Sequence, residues 1–114
     1  GYHFQRIEGT YVNSLSETTN FQFHTIRANK HSSLPPGAGT LEELRDTSFV
    51  VNLGEVSVQN NTTVEVKANI AEWFKNPITW DLNARFMVLM PNFQAQLDMK
   101  ENGTTVFSLG EVTQ

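Results

Sequence analysis

The chain has 114 residues, a net charge of −4, 39% hydrophobic and 18% charged residues, and no cysteine. That length suits a single domain with one modest core. The acidity removes any electrostatic case for nucleic acid or an anionic membrane surface. The missing cysteine removes disulfides, thiolate metal sites, iron–sulfur clusters and thiol nucleophiles.

Residues 1–27 read as one long β-hairpin. Its arms are Tyr2–Val12 and Phe21–Arg27, and the polar run Asn13–Asn20 joins them. A turn centred near Ser16 and Glu17 pairs Val12 with Phe21 and Thr10 with Phe23. One face then carries Tyr2, Phe4, Val12, Phe21 and Phe23, and the other His3, Ile7, Tyr11, His24 and Ile26. Both faces are half apolar, as in a hairpin covered on two sides. Ala28–Thr40 holds Asn, Ser, Pro and Gly together and reads as a loop with an exposed His31. Thr40 and Glu43 have capping-box spacing, which predicts one helical turn over Leu41–Asp46.

Ser48–Val58 returns to an alternating pattern that Gly54 interrupts. Gln59–Thr62 reads as a hairpin turn into Val64–Ala68. Asn69 and Glu72 predict a short helix over Ile70–Lys75, which the Asn76-Pro77 pair ends. Phe86–Met90 is the most apolar run. Pro91 opens a predicted helix over Asn92–Asn102, with Gly103 as its left-handed terminus. Val106–Val112 is a final strand. Strands with short helical connections over a single domain, residues 1–114, predict a mainly β fold, an antiparallel β-sandwich with two or three short helices.

The ordered residues form a signature. Gly-Tyr-x-Phe-x-Arg-x-Glu-Gly (from Gly1) is followed by Phe-x-Phe-His (Phe21–His24) and the Phe49-Val50-Val51 strand. Val-x-Val-x-Ala-x-Ile-x-x-Trp-Phe-x-x-Pro (Val64–Pro77), Asp81-Leu82, Met90, a late helix ending in Asn102, and Val106-Phe107 complete it. This order resembles the C-terminal portion, about two thirds, of an MbnP-like domain. That family comprises methanobactin-associated periplasmic copper-binding proteins and bacterial cell-envelope relatives. The resemblance implies a β-sandwich, export to the periplasm or cell surface, a lipoprotein anchor outside this chain in some members, copper as the bound metal, and a dihaem peroxidase-type partner that oxidises a tryptophan. In the family that tryptophan precedes the Gly-Tyr-x-Phe strand, so it is carried over to no residue here. Trp73 and Trp80 fit other positions. A fragment lacking N-terminal strands is the expectation, with association with that portion or a homodimer as the consequence of an open edge.

His24 is the one histidine at a position where a family histidine recurs, and neutral imidazole is a common ligand for such metals. The alternative is a strand histidine hydrogen-bonded to a neighbour. In the register above His24 faces Gly9, six residues from His3, so roughly 20 Å separates the two histidines. Met87 and Met90 offer thioethers, which suit Cu(I), but methionine in an apolar run is more often core filling. No hydrolase, P-loop or dinucleotide motif occurs and nothing selects a carboxylate pair, so no enzyme is expected. Glu8 stands out among the aromatic residues, with Arg6 or Arg27 as a pairing partner. The competing function is an adhesion module in which Trp73, Phe74 and Trp80 stack on glycan or contact protein; their alternative role is to pin the short helix to the fold.

Overall fold

In the computed structural model, residues 3–31 and 40–114 are described. Gly1 and Tyr2, and the Ser32–Gly39 part of the expected loop, lie outside them. The strands are β1 (Gln5–Val12), β2 (Thr18–Thr25), β3 (Ala28–His31), β4 (Leu41–Arg45), β5 (Thr63–Ala68) and β6 (Phe107–Thr113). A 3-10 turn covers Ile70–Phe74, and α1 covers Phe93–Gly103. The strands form three two-stranded antiparallel sheets, β1–β2, β3–β4 and β5–β6. The expected mainly β, antiparallel character is thus present.

The opening hairpin is present, but its arms are Gln5–Val12 and Thr18–Thr25 and its register differs from the expected one. Gly9 pairs with Phe21 and Arg6 with His24. The cause is Asn13, whose Oδ1 accepts from the backbone N–H groups of Leu15 and Glu17 at 2.9 and 3.0 Å. This closes the turn early, with Ser16 at φ 62°, and Thr18–Asn20 become strand. The slip is odd in number, so it exchanges the faces. Ile7 now pairs with Phe23, and Glu8 stands beside His24.

Elsewhere, sequence and structure part at definite points. Leu41–Arg45 is a strand paired with Ala28–His31, because tertiary pairing overrides a capping signal with too little apolar surface behind it. Over Ser48–Val58 the predicted alternation is real: Phe49, Val51, Leu53 and Val56 are partly covered, and Val50 is 93% exposed. That segment nonetheless joins no ladder. The predicted turn at Asn60-Asn61 exists, but β5 pairs with β6. Asn69 caps the short helical turn, its side chain accepting from Ala71 N–H. At α1 the cap is Asn92, one residue past Pro91, accepting from Ala95 N–H at 3.0 Å. Gly103 belongs to the helix and has no positive φ. Glycine is required there because a Cβ would collide with the Phe49 ring.

The core comprises Phe23, Trp73, Trp80, Leu89, Ala95, Met99 and Val106. Phe23, fully buried, lies 5.8, 4.9 and 5.0 Å from the ring centres of Trp73, Phe74 and Trp80. Two amides of α1 are also fully buried, Gln96 and Asn102. Asn102 Nδ2 donates to the carbonyls of Trp73 and Ile78, and its Oδ1 accepts from Ile78 N–H. These bonds pin the segment after the 3-10 turn to the helix.

Replacing Asn102 by Ala leaves three backbone groups without that partner, and should cost about 2–4 kcal/mol in urea denaturation. Phe23→Ala should cost about 3–5 kcal/mol through cavity formation. A loss below about 1 kcal/mol for either would contradict its assigned role.

Candidate metal centre

The entry to β1 bends at Phe4, whose N–H donates to the Thr25 carbonyl at 2.8 Å. That bond brings His3 back over the end of β2. The His3 and His24 rings meet edge-on, with centroids 4.8 Å apart. The separation of roughly 20 Å drawn from the expected register is therefore overturned, because the real turn is tighter and the chain folds over before β1 begins. His24 is 7% exposed, while His3 is exposed.

A third donor comes from the Phe86–Met90 run. This is not a strand: it runs along the edge of β2, with Gln22 N–H donating to the Phe86 carbonyl at 2.7 Å. Val88 adopts φ 58°, a left-handed conformation that a β-branched residue resists. Such a residue carries about 1–3 kcal/mol of local strain and persists only where its surroundings hold it. Beyond it, the Met90 Sδ lies 3.1 Å from His3 Nε2. Met90 is 38% exposed and Met87 41%, so neither fills the core; Met99 does.

Glu8 completes the cluster from β1. Its Oε1 accepts from Arg6 Nη2 at 2.8 Å and lies 2.7 Å from His24 Nε2. When neutral His24 donates Nε2–H to this carboxylate, Nδ1 keeps its lone pair for another partner. A cavity of about 30 Å³ lies against His24, walled by Gln22, Val88, Leu89 and Met90. That is room for a single water or ion. An open groove of about 810 Å³ passes the outer side of the cluster, where His3, His31 and Met90 meet Leu41 and Leu44.

These donors fit a soft monovalent metal. They are two imidazoles and a thioether, with a carboxylate orienting one imidazole. A cation would replace the hydrogen now shared by His3 Nε2 and Met90 Sδ. Among the described residues no group of three or more His, Asp or Glu side chains is placed to hold a metal ion, so a site here would need the Met90 thioether beside the two imidazoles. Sequence reasoning singled out His24 but discounted His3 and Met90. Correct placement of the turn, through Asn13, would have brought His3 nearer to His24, whereas Met90 depends on the positive-φ turn at Val88, which has no sequence signal.

The other candidates fall elsewhere. Trp73 and Trp80 are 2% and 6% exposed, so they pin the fold and present no stacking platform. A second cavity, of about 310 Å³, is lined by Phe4, Phe49, Trp73, Met99 and Phe107 among others. Trp73 Nε1 has no partner among the described residues, yet it is sealed from solvent and offers that cavity no donor.

Partial desolvation, then the neighbouring His24 and Arg6, hold His3 below its ordinary pKa of 6.5. Hydrogen bonds from Arg6 and His24 lower the Glu8 carboxyl. The folded chain thus binds the His3 proton less tightly than the unfolded chain does. This destabilising contribution is absent well above pH 6.5 and grows as pH falls through that value. In an NMR titration His3 should have its midpoint below 6.5, moving up in His24→Ala. An unchanged midpoint in that variant would show that the two rings are not coupled.

No curated protein and no solved structure matches the chain. The MbnP family model matches residues 1–91, a span that includes the hairpin, His3, Glu8, His24 and Met90. The chain belongs to the MbnP family.

Proposed function

We propose that this chain is an exported, non-enzymatic copper-handling domain that holds Cu(I) through His3, His24 and Met90. The supporting observation is the place of His3, whose ring touches His24 on one side and the Met90 thioether on the other. Two borderline nitrogen donors and one soft sulfur favour Cu(I) over hard divalent ions. Membership of the MbnP family supports copper, the periplasm or cell surface, and a dihaem partner as the setting.

When bound, copper would supply a redox-active soft centre; the protein supplies the rest. His24, largely buried, gives a fixed imidazole. Glu8 holds that ring by its other nitrogen, and a ligand restrained in this way binds metal more tightly. His3 and Met90, both exposed, form the side from which an ion would arrive. The lowered His3 pKa weakens the competition of protons with metal for that imidazole. The glycan-binding alternative loses its main support with the burial of Trp73 and Trp80.

The test is Cu(I) titration of the purified chain against a chromogenic chelator under reducing conditions. A single ion per chain should bind. His24→Ala should weaken it by about a hundredfold or more, and Met90→Leu by about tenfold, with Zn(II) affinity hardly changed in the latter. No uptake of Cu(I), or uptake indifferent to His24, would refute the copper reading.

A further inference from the structure

We infer that Gln96 is the positioning residue of the His3–His24–Met90 cluster: its buried carboxamide ties the strand carrying His24 to the loop carrying Met90. The functional part of this inference rests on the copper reading above; the structural part does not.

Gln96 has no exposed surface. Its Nε2 donates to the His24 carbonyl at 2.9 Å and to the Leu89 carbonyl at 3.1 Å, and its Oε1 accepts from Ile26 N–H at 2.9 Å. Both amide hydrogens are therefore used, one on each half of the site. No other residue type supplies this set. Leu would leave the Ile26 N–H and two carbonyls without that partner. Glu would keep the Ile26 contact but set a carboxylate against two carbonyl oxygens. Asn is one methylene shorter, and the span from α1 to β2 needs the full length.

The bond to Leu89 falls between two informative neighbours. Val88, just before it, is held at φ 58°. Met90, just after it, meets His3. Asn29 Nδ2 also donates to the Met90 carbonyl, at 3.2 Å, but from a partly exposed position on β3. Leu89 is also held by its buried side chain and by Asn92 N–H, which donates to its carbonyl at 3.1 Å; the Gln96 bond is what ties this strained turn to the strand at the level of His24. Without that bond Val88 would relax toward the extended region, carrying Met90 away from His3. The imidazole pair would remain, because the Phe4 and Thr25 backbone bond sets it independently.

This predicts a change in the donor set and not a mere loss of stability. In the metal-free wild type, NMR should show contact between the Met90 methyl and the His3 ring. In Gln96→Leu that contact should vanish while the His3–His24 contact stays. In the Cu(I)-loaded variant, X-ray absorption should lose its sulfur contribution and keep nitrogen, and affinity should fall by about tenfold. Gln96→Glu, isosteric and still accepting from Ile26, replaces the Leu variant if that one does not fold. A folded variant that keeps the Met90–His3 contact overturns the inference. A wild type that shows the contact and takes up no Cu(I) refutes the copper reading and leaves the positioning role of Gln96 standing.

Discussion

The structure depends on Phe23. Among the described residues the three small sheets share no hydrogen-bonded edge, so no continuous ladder holds them together. What joins the opening hairpin to the rest is an aromatic centre, in which the Phe23 ring touches Trp73, Phe74 and Trp80 and Phe107 of β6 packs against the same core. Aromatic pairs of this kind add directional preference to area burial, which helps to fix one arrangement. Strand alternation carries the constraint one residue further. With Phe23 committed to the core, His24 must face the opposite way, toward Glu8 and the Phe86–Met90 loop.

Much of this was legible in the sequence. Period-two patterns located β1, β2, β5 and β6, and Asn69 and the Asn92 region marked the helical starts. What remained hidden has a common physical origin. The Asn13 side chain shortens the first turn, and an odd slip in a hairpin turns every side chain over. Thr40 and Glu43 resemble a helix start locally, but β3 supplies a pairing partner that local spacing does not reveal. Gly103 resembles a helix stop, whereas it makes room for Phe49, which is distant in sequence. The candidate site was half visible for the same reasons. His24 was identified, while His3 and Met90 depend on a strand entry and a positive-φ loop that have no sequence pattern.

The cluster also shows how burial is divided by role. His24 and Gln96 are inside and held by bonds to fixed partners, while His3 and Met90 are outside. Rigid donors lower the entropy lost on capture, and accessible ones permit exchange. On the copper reading proposed above, this division suits a domain that passes a metal on rather than storing it. Glu8 lies diagonally across the hairpin from His24, two positions from its ladder partner Arg6, so the orienting carboxylate and the buried imidazole are carried by one paired ladder.

The exposed thioether of Met90 sets a different kind of limit. A methionine 38% exposed is open to hydrogen peroxide, which transfers one oxygen to sulfur as its O–O bond breaks and water leaves, the sulfur giving up two electrons. The sulfoxide is polar and bulkier, and its hard oxygen replaces the soft lone pair that faces His3. Such damage would leave Phe23 and its aromatic neighbours in place, so a chain with its fold intact could still have lost one of its donors. Exposure to peroxide, and the presence of a methionine sulfoxide reductase, would then govern how long the cluster stays complete.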